Sequence, residues 1–257
     1  MAEMSFWDHL EELRWCIFRM LIAVAVAFAG VFAVLPHIFD KWILGASKAD
    51  FFAYKWIGVV MGEGADVPII NINVASQFLT HMSMSLWLSL LLVFPFLLYQ
   101  IWVFVRPALY ENEIKGVRTA FAGSTVLFYM GCALTYVVIF PITFRFLTNY
   151  RLGSEITNTI SLNSYMSIFL TMTFIMGVVF ELPVLAWLLG RLGLVNKSTL
   201  RSWRRYAIVV LLMLAAVITP TGDPFTLMVV FLPLYLLYEF SILLVPREGG
   251  TDEPSTE

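Results

Sequence analysis

Residues Tyr165 to Gly190 read YMSIFLTMTFIMGVVFELPVLAWLLG, and Glu181 is the only charged residue among them. A hydrocarbon core about 30 Å thick is crossed by roughly 20 apolar residues in a helix, so this stretch is long enough to span a bilayer. An ionised acid near the bilayer centre costs roughly 2.5–3.5 kcal/mol on insertion scales. Glu181 is therefore expected to face a cavity or a partner. A functional polar site in a concave, water-accessible groove is favoured; an interhelical hydrogen bond that only locks packing is the plainer alternative.

Five more stretches have the same character. The spans are expected at about 16–35, 80–105, 120–146, 165–190, 206–219 and 225–245. Across the 257 residues, 60% are hydrophobic and 13% charged, against roughly 45–50% and about 25% in soluble domains. The mean hydropathy is +0.84. A water-soluble fold cannot hide that much apolar surface at this length, and disorder needs low hydrophobicity. A net charge of −2 gives no basic excess to neutralise nucleic-acid phosphates. Cys16 and Cys132 both lie in apolar runs, so neither a disulfide framework nor a zinc site follows from them. Residues 1–246 are expected to form one membrane domain, and the Gly/Pro-rich, acidic 247–257 a disordered tail. Acidic residues ahead of the first span, with no small-residue cleavage site after it, argue against a cleavable signal.

Lysine and arginine counts orient the chain. With the amino terminus inside, eleven of these cations fall inside, among them Arg14, Arg19 and the cluster Lys197 to Arg205, and five outside. The fold class expected is an all-α integral membrane protein: six transmembrane helices in a concave bundle, both termini cytoplasmic. The long, aromatic-rich connection at about 36–76 is expected to be an extracytoplasmic cap. The fifth span reaches only about 21 Å at ~1.5 Å per residue, so local membrane thinning is expected beside it. Pro95, Pro141, Pro183 and Pro233 are expected to kink their helices. Ser124, Gly131 and Thr135 form a small-residue stripe suited to close helix packing.

Ser5 followed by Asp8 reads as a helix start near Phe6. On that helix Phe6, Leu10, Leu13, Ile17 and Met20 share one face, and Asp8, Glu12, Trp15 and Arg19 share the opposite one. An amphipathic interfacial helix is expected to run from here into the first span. Arg106 to Glu113 forms a second polar element, read at its plainest as a turn in which Pro107 ends the preceding helix.

Five motifs occur in order along the chain: His9-Leu10-Glu11-Glu12-Leu13-Arg14, Tyr99 to Glu113, Phe180-Glu181-Leu182-Pro183, Thr219-Pro220 with Asp223-Pro224, and Tyr238-Glu239. Together they resemble the TatC family, the receptor subunits of the twin-arginine protein translocase, over about residues 5–245. One departure is Leu44-Gly45-Ala46-Ser47, where the family commonly has a proline.

The resemblance implies a receptor for signal peptides bearing two consecutive arginines, with Glu12 and Glu113 contacting that pair. A guanidinium presents a planar fork that pairs bidentately with a carboxylate, which lysine cannot mimic. Arg14 joins this signal-peptide site by orienting Glu12 or meeting lipid phosphates. The resemblance also implies single-span partners of TatA and TatB type, the proton-motive force as energy source, and the cytoplasmic (inner) membrane as location. Glu181 and Glu239 are the intramembrane functional candidates. Glu239 is expected to snorkel or to accept a bond from a neighbouring helix. Asp223 is expected either to cap a turn or to contact a partner. His37 and His81 read as structural.

No phosphate-binding G-x-x-x-x-G-K-[ST] loop, H-E-x-x-H pair or G-x-S-x-G elbow occurs, and neither an enzyme, a cofactor nor a metal is expected. The competing reading is an ion-coupled small-solute transporter using Glu181 and Glu239. The absence of an internal repeat weakens it.

Overall fold

The computed structural model describes residues 6–57, 66–105, 114–153 and 158–245. The expected tail, 247–257, lies outside them. The first helix, α1 (Phe6–Ile38), runs unbroken from the amino-terminal segment through the first span. A π turn (Phe39–Ile43), a 3-10 turn (Leu44–Ser47) and the short α2 (Phe52–Ile57) then fold back as a cap. α3 (Ser76–Val105) and α4 (Ile114–Leu134) follow, and a π segment (Thr135–Ile139) joins α4 to α5 (Phe140–Asn149). The fourth span is split into α6 (Leu162–Val179) and α7 (Leu182–Arg191). The short α8 (Lys197–Ser202), α9 (Arg204–Ile218) and α10 (Pro224–Leu244) complete the described chain.

Among the described residues, five helical stretches are long and apolar enough to cross a membrane. The chain is a multi-pass membrane protein. The remaining element of the expected six, α9, has 15 residues. At ~1.5 Å per residue it measures about 22 Å, short of a hydrocarbon core about 30 Å thick.

α6 sits at the centre, packed on α3, α4 and α9, while α10 packs on α7 and α9. Phe140, Tyr165, Phe169, Met172, Met176, Ile218 and Leu234 fill the space between them. The stripe on α4 makes the close approach possible. A Cβ on Gly131 would sit 2.7 Å from the Phe180 ring, and one on Gly177 2.6 Å from Cys132 Sγ. Glycine at both positions lets the two backbones meet without a side chain between them. Both cysteines are buried and free.

The prolines act as their chemistry requires. Pro36 and Pro95 lie inside α1 and α3, and each lacks the amide that would serve the carbonyl four residues back. In both cases a neighbouring helix replaces it. His81 Nε2 lies 2.9 Å from the Phe32 carbonyl, and the Tyr129 hydroxyl donates to the Leu91 carbonyl at 2.9 Å. In lipid no water is available to do this. Pro141 begins α5 directly after the π segment, and Pro183 begins α7 directly after the two-residue break at Phe180 and Glu181.

The cap is tied to the spans by side chains that meet its irregular carbonyls. Tyr165 OH donates to Ile43 O at 2.7 Å and Tyr136 OH to Trp42 O at 2.6 Å, while within the cap Tyr54 OH donates to Ala46 O at 2.6 Å. Buried Arg145 donates to Lys48 O at 3.2 Å and stacks over the Tyr54 ring. A two-residue parallel pairing, β1 (Ile69–Ile70) with β2 (Ile160–Ser161), joins the end of the cap to the start of α6. At the departure Leu44 to Ser47 the chain takes the 3-10 turn, with the Phe51 ring lying over Gly45.

Candidate functional site

The amino-terminal half of α1 places Glu12, Trp15, Cys16 and Arg19 along the side that meets α3. With Gln100, Val103 and Phe104 they line a cleft of about 170 Å³. Cys16 Sγ donates to the Gln100 carbonyl at 3.4 Å and fixes the spacing of the two helices. Glu12 is half-buried. Its Oε2 is covered and accepts no hydrogen bond from any described residue. A carboxylate oxygen held this way is costly until a donor reaches it.

This corrects one part of the sequence expectation. The face carrying Asp8, Glu12, Trp15 and Arg19 was expected to lie along the membrane interface. Glu12 turns toward α3 and is half-buried, whereas Trp15 and Arg19 of the same face stay exposed, as do Leu10 and Ile17 of the other. The physical reason is the solvent: lipid accepts apolar side chains as readily as a protein core does, so Glu12 gains more from protein contact. Sequence reading placed Arg19 on the face of Glu12 but missed Gln100 as its neighbour. The i, i+4, i+7 spacing of Glu12, Cys16 and Arg19 was the available signal for the α1 side.

Arg14 is exposed, and among the described residues it forms no ion pair with Glu12. Glu113 lies outside the described residues, in the segment between the end of α3 and the start of α4. The cleft holding Glu12 is built on the last turns of α3, so it lies beside the point where that segment departs.

The second polar centre is the break in the fourth span. Glu181 follows Phe180 in the unwound turn before α7, and Ser124 Oγ of α4 donates to Glu181 Oε2. Glu181 Oε1 is buried and has no partner among the described residues. An interhelical bond thus exists, as the plainer alternative expected, but it uses only one carboxyl oxygen. Ser124 was read from the sequence as a packing residue; it is also the partner of Glu181.

Glu239 accepts from Arg204 Nη2 at 2.6 Å and from Tyr235 OH at 3.1 Å, which ties α10 to the start of α9. With the two side chains 47% and 30% exposed, such a pair contributes about 0–1 kcal/mol. Asp223 is the N-cap of α10: it accepts from the Thr226 amide and from Thr221 OH, both at 2.7 Å. Partial burial would raise its carboxyl, but these hydrogen bonds outweigh that and hold it below the usual carboxylate range. Capping accounts for both of its oxygens. No cluster of metal-ligating side chains occurs among the described residues.

A family model for the Sec-independent protein translocase protein (TatC) matches residues 8–233. The chain is 34% identical over 244 residues to the Sec-independent protein translocase protein TatC of Deinococcus radiodurans, covering 95% of this chain and 86% of that one. It is 36% identical over 247 residues to the chloroplastic TATC protein of Oryza sativa, covering 96% and 64%. A crystal structure of the twin arginine translocase receptor TatC matches with a TM-score of 0.74 and 28% identity, covering 92% of this chain and 97% of that one. These relatives are named as translocase proteins, and nothing supports the small-solute transporter alternative. From the first turn of α1 to the middle of α10, the chain belongs to the TatC family of Sec-independent protein translocase proteins.

Proposed function

We propose that this chain receives twin-arginine signal peptides at the cytoplasmic face of the inner membrane, with both termini inside. Glu12 and Glu113 accept the two guanidinium groups. Arg14 meets lipid phosphates beside them. The reading is supported chiefly by Glu12 Oε2, a covered carboxylate oxygen with no donor among the described residues, in a cleft beside the last turns of α3.

Magnitudes divide the work. An ion pair at such a half-exposed site contributes on the order of 1 kcal/mol, while micromolar binding requires roughly 8 kcal/mol. The apolar segment of the signal peptide therefore supplies most of the affinity, at about 0.8 kcal/mol per buried CH₂, and the carboxylates supply selectivity for arginine. Residues 1–246 act as one membrane domain, with 247–257 as a tail. Single-span subunits of TatA and TatB type dock on the spans, and the proton-motive force drives transport of folded cargo. Glu181 serves a hydrated polar groove, and Glu239 braces α9 against α10. The role is that of a receptor and core translocase subunit rather than an enzyme.

Photocrosslinkers placed at positions 12 and 113 test the reading. Both should join the signal peptide next to its arginine pair. Crosslinks confined to the far, apolar end of the peptide would overturn it.

A further inference from the structure

At the cap end of the bundle, opposite the Glu12 cleft, a cavity of about 550 Å³ lies between α1, the cap, the β1 strand and α3. Leu35, Phe39 and Phe78 contribute apolar wall, while Asp40, Asn71 and Gln77 contribute polar groups. The adjoining segment carries Ile70, Ile72 and Val74 at alternate positions, all exposed, Ile72 at 70%. The chain bends at Asn73 and turns at Val74, so these three residues form an exposed apolar patch rather than a regular strand face. Exposed apolar groups in series mark a membrane or binding surface. Ile70 and Phe78, which line the cavity, are themselves exposed, so the cavity opens at an apolar surface.

We propose that this cavity binds a phospholipid with a protonated primary amine in its headgroup, of the phosphatidylethanolamine type. In the orientation given above it belongs to the outer leaflet. One acyl chain follows Leu35, Phe39 and Phe78 inward. The ammonium group meets the Asp40 carboxylate, which is exposed and forms no ion pair among the described residues. Asp40 also lines an adjoining cavity of about 330 Å³ together with Lys41, whose exposed ammonium carries the charge that complements the lipid phosphate. The Asp40-Lys41 order thus matches a zwitterion. Trp42, exposed next to them, has the amphipathic ring found at headgroup level. Size selects against a partner helix as occupant. A helix about 10 Å across would fill this volume within roughly 7 Å of its length, little more than one turn. The volume falls instead within the roughly 300–1,000 Å³ of small-molecule sites.

The headgroup chemistry makes the proposal specific. A choline headgroup has no N–H to donate to Asp40, and a glycerol headgroup has no cation. Native mass spectrometry of the full detergent-solubilised chain, with phosphatidylethanolamine, phosphatidylcholine and phosphatidylglycerol of matched acyl chains at equal concentration, reads the preference. Phosphatidylethanolamine should be retained about tenfold over the other two, as one bound copy. Asp40→Asn should reduce it to the phosphatidylcholine level with the melting temperature of the lipid-free chain unchanged. Asn71→Trp, at an exposed position, should obstruct the cavity and lower retention of all three lipids. Equal retention of the three lipids by the unsubstituted chain overturns the proposal. So does unchanged preference in Asp40→Asn, or unchanged retention in Asn71→Trp.

Discussion

His81 Nε2 donates to the Phe32 carbonyl, the acceptor in α1 that Pro36 leaves without an amide. The carbonyl can only accept, so the proton is on Nε2. The imidazole ring also stacks on the Phe32 ring at 3.9 Å between centroids. A single residue of α3 therefore repairs and holds the helix beside it. His81→Ala should cost about 1–3 kcal/mol, the penalty for stranding a covered polar group. His81→Gln, which keeps a donor, should recover part of it. Unfolding of the detergent-solubilised variants measures both, and equal stability of all three would contradict the assignment.

At the break in the fourth span, Ser124 and Glu181 play separable parts. Ser124→Ala removes the donor to one carboxyl oxygen and should lower stability by about 1–3 kcal/mol. Glu181→Gln retains the size and a hydrogen-bonding group. It should fold normally yet lower transport severalfold, and Glu181→Leu should lower it further. Normal transport by both Glu181 variants would show that the carboxyl serves packing alone.

Asp223 gives a pH signature. Its carboxyl is held low by the Thr226 amide and Thr221 hydroxyl. A group lowered in the folded state contributes stability above its unfolded pKa, and that contribution is lost as pH falls through the folded pKa. Asp223→Ala should cost about 0.5–2 kcal/mol near neutral pH, as for a lost N-cap. The gap between wild type and variant should shrink as the pH is lowered below the ordinary carboxylate range. Melting temperatures across that range check it, and a gap that widens in acid would reverse the sign.

The 15-residue α9 calls for a thin bilayer. Spin labels along α9 and α3 in the same nanodisc should report a hydrocarbon layer several ångströms thinner beside α9. An undistorted bilayer there would mean that the neighbouring helices alone shield its ends.

Helix positions were legible in the sequence because span length is set by bilayer thickness and apolar runs have few alternatives. Pro183 marked the break at Phe180 and Glu181 for the same reason: a missing amide is visible in the residue name. The π segment Thr135–Ile139 was not legible, since nothing in TYVVI forbids an α-helix. It becomes intelligible only with Pro141 following it and Tyr136 reaching the cap. The inward turn of Glu12 was hidden because amphipathic periodicity gives two faces without saying which one lipid will cover. The pairing of Ser124 with Glu181 was hidden because the two lie 57 residues apart. The motif at Glu12 was plain, but its cleft depends on Gln100, which only packing brings near.

The central claim is that acidic side chains at the amino end of α1 and after α3 distinguish guanidinium from ammonium. Dissociation constants of the purified chain for twin-arginine and twin-lysine signal peptides test it most directly, in the wild type and in Glu12→Ala and Glu113→Ala. The wild type should prefer the arginine pair, and each substitution should reduce that preference while leaving twin-lysine binding nearly unchanged. An arginine preference that survives both substitutions at full strength would contradict the account.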